Sequence, residues 1–409
     1  MRMDSRTSLS GECREYMMFP VLSRVRLYAV QSALLVLALV LSACGPGYSP
    51  GISGPGLNAG AAIPVALLIP GGSDDTNDIY IAQSLENAAR LAIADLGGVT
   101  IDLRVYNTQG SPEIAAAMAT QAADEGAAVI LGPFFALEAN AAGAAVASRG
   151  INVLSFSNNP EVAGGNVFIL GQTFDSTARR LASYAVGRGI DRIMVVHDPD
   201  PAGQIGKVAI ENAVVNAGGT LAAVGTYEFS QNGNIEAIPG LAASAKSSGA
   251  KALFLTADNA GALPLLSQLL MENGVNPATF QFIGLARWDI PAATLALPGV
   301  QGAWFALPDP VTNQQFQARY AAAYGEAPPI YAGFAYDGIA AIGAVARSGG
   351  GASLTADALM QSAGFVGVGG IFRLRPDGTT DRGLAVAQIL DKQLVVIEPA
   401  PNNFGGVGF

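Results

Sequence analysis

Residues 151–159 have the sequence INVLSFSNN, a short apolar run that ends in hydroxyl and amide side chains. The first four residues have the composition of a buried strand. In a sheet of parallel strands, ligands lie in the crevice beyond the carboxyl ends of the strands. We therefore predict that Ser155, Ser157 and Asn159 form one wall of a ligand cleft. The alternative is an ordinary surface turn, because serine and asparagine also favour turns.

The same alternation of strand-like and helix-like stretches occurs on both sides of this segment. Before it, apolar or alternating runs predict strands at 63–69, 100–106, 128–131 and 151–154, with helical patterns between them. After it, a second series predicts strands at 192–196, 221–227, 251–255 and 280–283. Repeated β-α order is typical of a parallel sheet covered by helices on both faces. The predicted fold class is therefore α/β, with two doubly wound parallel-sheet lobes.

The last quarter of the chain changes character. It predicts a strand at 302–307, helices at 313–324, 331–347 and 354–363, and strands at 370–374, 384–390 and 394–397, while Gly364–Gly370 is interpreted as a turn. These elements are too few for a third domain, so we expect them to complete the two lobes. Several crossings of the chain would then form a multi-segment hinge. We assign residues 63–172 and 309–365 to lobe 1, residues 173–308 and 366–398 to lobe 2, and residues 399–409 to a tail.

The amino-terminal residues have the pattern of a secretory signal. Arg24 and Arg26 precede the uncharged run Leu27–Ala43, which ends in small residues. The sequence Leu41-Ser-Ala-Cys44 resembles a bacterial lipoprotein signal, in which the cysteine is lipidated. We predict a signal peptide at 1–43, with Met17 or Met18 as a possible true start, and a lipidated Cys44 at the head of a flexible tether, 44–62. The alternative is a single membrane helix, against which the Gly- and Pro-rich stretch after Cys44 argues.

Composition narrows the classes of partner. The chain has 409 residues, of which 50% are hydrophobic and 13% charged, and this is enough apolar material for a large core. Its net charge of −10 argues against nucleic acid or an anionic membrane surface as the main partner. The two cysteines are Cys13 and Cys44, so the processed protein is predicted to contain no disulfide.

The residues that carry most enzyme chemistry are scarce. His197 is the single histidine, and it follows the predicted strand 192–196, where we interpret it as a polar rim residue and not a base. No serine or cysteine nucleophile has a second histidine to serve it. With one histidine and no usable cysteine, only carboxylates remain as metal ligands. No Walker pattern or Gly-x-Gly-x-x-Gly lies at a strand–helix junction. We predict no enzyme activity, no cofactor and no metal.

Several short motifs, taken in order, resemble the type I periplasmic binding proteins of the leucine/isoleucine/valine-binding branch. They are the loop Pro70-Gly71-Gly72-Ser73, Leu131-Gly132-Pro133, residues 151–159, Thr173-Phe174-Asp175, Ala335-Tyr336-Asp337 and the hairpin at 370–378. The resemblance covers residues 63–397. It implies a two-lobed clamp, a three-segment hinge, a small ligand between the lobes and an ABC permease as partner.

Within that family the chain is most similar to lipoproteins identified as penicillin-binding protein activators. That likeness implies an alternative function, in which surface contacts regulate a peptidoglycan synthase. Both alternatives place the protein in the periplasm on a lipid anchor. Gly45 stands where enteric relatives carry the aspartate that signals retention in the inner membrane, so the outer membrane is favoured.

The resemblance also indicates where ligand contacts are expected and where this chain departs from the pattern. Ser73, Phe134 and Asp175 occupy expected contact positions, but Phe134 stands where small hydroxyl residues usually hold a ligand carboxylate. Asn159 replaces an expected threonine. An acid that pairs with a ligand ammonium is expected near Ala286, beside Arg287.

The remaining candidates follow predicted strands of lobe 2 or lie on a late helix. Arg287 could bind a carboxylate and Trp288 could stack on a ligand; a surface salt bridge above a packed tryptophan is the alternative. Asp198 and Asp258 could receive cationic groups. Tyr336 is a candidate for the cleft, or simply packs its helix. For Phe134, the alternatives are a cleft floor and a protein-contact patch.

Overall fold

The structure is a computed structural model that describes residues 61–228, 230–348 and 354–405. The predicted signal peptide, Cys44 and all but the last two residues of the predicted tether lie outside the described residues, as do the last four residues of the predicted tail. Within the described ranges, no helix has both the length and the apolar character needed to span a bilayer.

The first sheet contains five parallel strands in the order β2-β1-β3-β4-β5. They are β1 (Ile63–Ile69), β2 (Ile101–Asn107), β3 (Val129–Leu131), β4 (Asn152–Ser155) and β5 (Val167–Ile169). Helices α1 (Thr76–Asp95), α2 (Pro112–Asp124) and α3 (Ala136–Val146) connect them. Ser111 caps α2, since its Oγ accepts a hydrogen bond from the N–H of Ile114 at 3.3 Å, and Pro112 takes the first helical position.

Both faces of this sheet are covered. One core lies under α1 and includes Leu67, Leu85 and Leu131, and the other lies under α2 and α3 and includes Leu68 and Ile130. Successive residues of a strand point to opposite faces, so Leu67 and Leu68 serve different cores. A nearly continuous apolar strand such as β1 is what a sheet buried on both faces requires.

The second sheet contains seven strands in the order β15-β14-β10-β9-β8-β6-β7. Its parallel strands are β6 (Arg192–His197), β7 (Thr220–Thr226), β8 (Ala252–Leu255), β9 (Gln281–Gly284) and β10 (Trp304–Pro308). Strands β14 (Leu384–Leu390) and β15 (Gln393–Glu398) extend one edge in antiparallel orientation. Helices α4 (Phe174–Gly187), α5 (Pro201–Asn216), α6 (Gln231–Ser247) and α7 (Leu263–Glu272) cover its faces.

The carboxyl-terminal elements complete the lobes. Helices α8 (Pro310–Tyr324), α9 (Ala332–Ser348) and the short α10 (Ala356–Leu359) return to the first core. A third sheet of three antiparallel strands follows, made of β11 (Phe365–Gly367), β12 (Gly370–Leu374) and β13 (Thr380–Arg382).

Two details of the sequence interpretation differ from the structure here. The turn at Gly364–Gly370 is wrong, because Phe365–Gly367 pairs with β12 as a strand and Phe365 is buried in the first core. The division at 365/366 also differs, since Phe372 and Leu374 pack in the first core as well. The chain therefore leaves the first lobe after Arg382.

The chain passes between the two large sheets along three segments. It leaves β5 towards α4 through Leu170–Thr173, leaves β10 towards α8 through Asp309, and leaves β13 towards β14 through Gly383. Strands β5 and β10 both end at the hinge, so the carboxyl edges of the two parallel sheets meet there. Two doubly wound α/β lobes joined by a multi-segment hinge are the predicted fold class, which is confirmed.

Candidate ligand site between the lobes

The wall predicted from residues 151–159 lies at the carboxyl edge of the first sheet. Ser155 is fully buried; its Oγ donates to the carbonyl of Pro133 at 2.8 Å and accepts from the N–H of Ser157 at 3.1 Å. Ser157 is also buried, and its Oγ accepts from the N–H of Asn159 at 3.1 Å. Both hydroxyl groups stabilise the conformation of this loop through local hydrogen bonds. Ser155 has no exposed surface with which to contact a ligand.

Neighbouring candidates on lobe 1 also make local contacts. The ring of Phe134 packs edge to face on Phe135 and Tyr331, with centroid distances of 5.2 and 5.1 Å. Asn159 Oδ1 accepts from the N–H of Glu161 at 3.0 Å, and Ser73 Oγ accepts from the N–H of Asp75 at 3.1 Å. Phe134 thus belongs to an aromatic cluster at the rim, while Ser73 and Asn159 organise turns.

A buried carboxyl group lies behind this rim. Glu138, in the first turn of α3, is fully buried, and one oxygen accepts a long hydrogen bond from the N–H of Phe135 at 3.4 Å. Within the described part of the chain, the other oxygen, Oε1, has no hydrogen-bond partner. Burial raises the pKa of Glu138, and the negative charge of Asp78 adds a smaller effect. The N–H of Phe135 and the nearby hydroxyl of Thr108 oppose the shift. That hydroxyl donates to the carbonyl of Ile69, however, so its effect on Glu138 is weak.

We expect Glu138→Gln to stabilise the protein at neutral pH by about 0.5–2 kcal/mol, the usual size of a single stabilising substitution. A carboxyl group with a raised folded-state pKa keeps its proton in the folded chain after the unfolded chain has lost it. Stability is therefore lost as the pH rises above about 4.3, the ordinary value for glutamate. Denaturant unfolding from pH 4 to 8 should show the advantage of the variant growing with pH. An advantage that does not change with pH would contradict this account.

The carboxyl edge of lobe 2 carries acidic side chains. Asp198 is buried and accepts from the hydroxyl groups of Tyr227 and Thr256, the latter at 2.7 Å. Burial and the hydrogen bond to Asp198 raise the pKa of Tyr227, so its phenol remains a donor. Asp258 is exposed on the adjacent strand end, where it accepts from the N–H of Gly261 at 2.8 Å. This edge can receive a cationic group.

His197 is buried in lobe 2, with its Nδ1 2.8 Å from the carbonyl oxygen of Asp198. The interpretation of His197 as a polar rim residue holds for its position at the end of β6, but its ring is buried. Asp175 lies half-buried in the first turn of α4, directly after the first hinge segment. In the described residues, no group of histidine, cysteine, aspartate and glutamate side chains could hold a metal ion.

An open pocket lies beside the hinge and is lined by residues of both lobes. Its empty volume is about 690 Å³ and is continuous with solvent. The polar and charged lining residues are Gln172, Arg287, Asn313, Gln317, Asp337 and Arg382. The apolar walls include Ile290, Phe316, Pro329, Ile330, Phe334 and Val368. Apolar walls with a few converging polar groups are the usual composition of a small-molecule site.

The loop after β9 contributes Arg287 to this pocket. Its guanidinium group pairs with Asp289, with Nε 2.9 Å from Oδ1, and Arg287 keeps 28% of its side chain exposed. Its neighbour Trp288 is fully buried in the second core and donates from Nε1 to the carbonyl of Ala257 at 3.0 Å. The predicted stacking of Trp288 on a ligand is therefore wrong, because the ring points into lobe 2.

The floor of the pocket holds a buried ion pair. Arg382 Nη1 lies 2.7 Å from Asp337 Oδ2, and Asp337 Oδ1 accepts from the N–H of Val368 at 2.8 Å. Arg382 also donates to the carbonyl of Leu170 at 2.6 Å, while its guanidinium group lies 5.0 Å from the ring centroid of Phe334. Burial raises the pKa of Asp337, an effect that the charge of Arg382 opposes. Arg382 thereby joins two hinge segments to α9.

The sequence places Tyr336 and Asp337 together as candidates for the cleft, with Tyr336 as the predicted ligand contact. The hydroxyl of Tyr336 donates to Asp95 at 2.7 Å, and its ring packs against Phe316 with centroids 5.6 Å apart. Tyr336 therefore faces α1 and α8, and its predicted position in the cleft is wrong. The motif Ala335-Tyr336-Asp337 was the available signal for this site, but it does not show which residue faces the pocket.

The sequence and the fold agree with one family of known proteins. A family model described as periplasmic binding protein matches residues 63–393. The chain belongs to the periplasmic binding protein family. The resemblance to type I periplasmic binding proteins is thereby confirmed. No curated protein sequence matches the chain.

Solved structures of several periplasmic binding proteins share the fold. A putative branched-chain amino acid ABC transporter protein from Rhodospirillum rubrum is 20% identical, with a TM-score of 0.70 over 82% of this chain and 100% of that one. A substrate-binding protein from Desulfitobacterium hafniense, in complex with leucine, is 20% identical, with a TM-score of 0.59 over 82% and 100%. One from Rhodopseudomonas palustris, in complex with 3,4-dihydroxybenzoic acid, is 16% identical, with a TM-score of 0.54 over 83% and 96%.

The predicted ligand residues of lobe 2 lie in two different places on this periplasmic binding protein fold. Arg287 lines the pocket beside the hinge, and Asp198 and Asp258 lie at the carboxyl edge of the second sheet. The pairing of Asp337 with Arg382 was missed because the two residues are 45 positions apart in sequence. Neither has a local motif that predicts a partner.

Proposed function

We propose that this protein is a lipid-anchored solute-binding protein of the periplasm. It clamps a small polar or amino-acid-like ligand between its lobes and presents it to an ABC importer, without catalysing a reaction. The observation that carries this proposal is the pocket beside the hinge, to which both lobes and the hinge segments contribute side chains. A ligand there contacts surfaces that move relative to one another when the lobes close.

The charges of the pocket favour a ligand with a carboxylate. Arg287 is partly exposed, and Asp289 fixes its planar guanidinium group, so little side-chain freedom is lost when an anion binds. The leucine and the dihydroxybenzoic acid bound by two solved relatives each carry a carboxylate. Asp198 and Asp258 lie at the carboxyl edge of the same lobe, outside the lining of this pocket, and are the acids that we propose for the ammonium group of an amino-acid-like ligand.

Closure of the clamp follows from differential contact. A ligand that touches one lobe in the open state and both lobes in the closed state favours closure by the difference in binding free energy. The apolar residues Ile290 and Ile330 are 46% and 77% exposed at the mouth of the pocket. Covering such residues on closure would add to the driving force.

Anchoring and location are part of the same proposal. Lipidation of Cys44 after removal of residues 1–43 would hold the clamp at a membrane surface. The Gly- and Pro-rich tether that follows would set the distance between the membrane and the lobes. Membership of the periplasmic binding protein family supports the periplasm. Gly45 favours the outer membrane.

A thermal-shift screen against amino acids, small carboxylic acids and muropeptides tests the function. A ligand present at 100 times its Kd should stabilise the folded protein by about 2.7 kcal/mol. No response from any class would contradict a solute-binding role. If a pull-down from envelope extract then retained a peptidoglycan synthase, the activator function would replace the one proposed here.

Arg287→Ala is expected to weaken binding of any carboxylate ligand from that screen by roughly tenfold to a hundredfold, since a hydrogen bond to a charged group contributes about 1.5–3 kcal/mol. Isothermal titration calorimetry measures the change. Arg192→Ala is the matched control, because Arg192 begins β6 at the edge of the sheet opposite the pocket. Equal affinities for wild type and Arg287→Ala would remove Arg287 from the site.

A further inference from the structure

A second cluster of charges lies on the other face of the hinge strand β13. Neighbouring residues of a strand point to opposite faces, so Asp381 points away from the pocket that Arg382 lines. Asp381 is almost fully buried, with 3% of its side chain exposed, and three arginines converge on it. Arg179 Nη1 and Arg375 Nη1 lie 2.7 and 3.2 Å from Oδ1, and Arg373 lies 2.9 Å from Oδ2.

The cluster carries more positive than negative charge. Three guanidinium groups surround one buried carboxylate, and the only further acid they contact among the described residues is Asp377, 3.4 Å from Arg375. Burial opposes ionisation of Asp381, but the charge of Arg179 and the hydrogen bond from Arg373 lower its pKa below the ordinary value. In a chain with a net charge of −10, this leaves a local excess of positive charge.

The arginines retain unused donors. A guanidinium group has five N–H donors, and Arg179 uses one of them on Asp381. Arg375 directs Nη1 to Asp381 at 3.2 Å and Nε to Asp377 Oδ2 at 3.4 Å, so its five N–H donors exceed these two contacts. The side chains of Arg179, Arg373 and Arg375 are 28%, 27% and 36% exposed. The ring centroid of Phe404 lies 4.5 Å from the guanidinium carbon of Arg373, so an anion would reach the cluster from solvent mainly through Arg179 and Arg375.

We propose that Arg179, Arg373 and Arg375 form a binding site for a phosphate group. Several guanidinium groups with free N–H donors match the several oxygen acceptors of a phosphate, and arginine suits such recognition because its fork can bind two oxygens at once. Arg179 belongs to α4 of lobe 2, whereas Arg373 and Arg375 belong to the β12 region, which packs on lobe 1. A bound phosphate would therefore link the two lobes at the hinge. The site is independent of the proposed solute.

Titration calorimetry of the purified full chain with inorganic phosphate tests the site, with sodium chloride at matched ionic strength as the reference. Saturable binding of phosphate is expected, about tenfold or more weaker in Arg375→Gln and in Arg179→Gln. Either variant leaves Asp381 two arginine partners. Arg149→Gln, which removes an exposed arginine paired with Asp124, is the matched control and should bind like wild type.

Dimethyl phosphate distinguishes two sources of the ligand, because it carries a single charge like the diester of a phospholipid headgroup. Binding of dimethyl phosphate with the same loss in Arg375→Gln points to a lipid headgroup, and binding of inorganic phosphate alone points to a free phosphate or monoester. The proposal is overturned if phosphate acts no differently from chloride. It is also overturned if both arginine variants bind phosphate as tightly as Arg149→Gln does.

Discussion

Arg382→Met is expected to lower the free energy of unfolding by about 3–5 kcal/mol, the cost of leaving a buried charge without its partner. Asp337 is 1% exposed, and Arg382 is its ion-pair partner at 2.7 Å. The same substitution removes two hydrogen bonds to the carbonyl of Leu170 in the first hinge segment. Denaturant unfolding measured by circular dichroism gives the difference directly.

A double variant separates the ion pair from simple packing. Replacing both partners, as in Asp337→Leu with Arg382→Met, should recover much of the loss, because apolar substitutes for a buried ion pair are often neutral or stabilising. Arg319→Met is the matched control, since Arg319 pairs with Asp95 in a largely exposed position and should cost less than about 1 kcal/mol. If Arg382→Met and Arg319→Met lowered the free energy of unfolding equally, burial of the ion pair would not contribute to its effect on stability.

Trp288→Ala is expected to cost about 3–5 kcal/mol, the range for removal of a large buried aromatic side chain. The ring is fully buried and close to Gly284, where an added Cβ would lie 2.5 Å from the indole. Its Nε1 donor satisfies the carbonyl of Ala257, which the substitution leaves unpaired. Urea unfolding of the unliganded protein is the measurement.

Trp288→Phe provides the comparison, since it keeps most of the ring and loses the hydrogen bond. It should cost clearly less than Trp288→Ala, and ligand affinity should change little in Trp288→Phe. A small stability loss for Trp288→Ala combined with a large loss of ligand affinity would restore the stacking role suggested by the sequence.

The two lobes could be predicted because each of their strands and helices is indicated by neighbouring residues in the sequence. An apolar run such as β1 and a capped start such as Ser111-Pro112 depend only on neighbouring residues, and repetition of these signals specifies a doubly wound sheet. The strand β11 was not predictable in this way. Its glycine-rich sequence favours a turn, and pairing of Phe365 with Phe372 in the first core stabilises it as a strand.

The candidate site was predictable only to the level of the sheet edge. Of the predicted ligand residues, Arg287 lines the pocket, whereas the direction of most other side chains depends on packing that no local pattern encodes. Arg287 faces the pocket and the adjacent Trp288 faces the core, while on α9 the pocket receives Asp337 and not Tyr336. One position along a helix rotates a side chain by about 100°, because a turn contains 3.6 residues. An error of one residue on a helix is therefore enough to place a side chain in the core instead of the pocket.

The order in which the lobes are completed has a consequence for biogenesis. Helix α9, which covers the apolar face of α1, follows strands β6 to β10 of the second sheet in the chain, and β14 and β15 of that sheet follow α9. A nascent chain that stops before residue 332 would leave Leu85 and Ala89 of α1 without their cover. Completion of lobe 1 therefore requires α9, and completion of the second sheet requires β14 and β15. In the exported protein that we propose, this order delays folding of both lobes until nearly the whole chain has been made, which is compatible with secretion of an unfolded polypeptide.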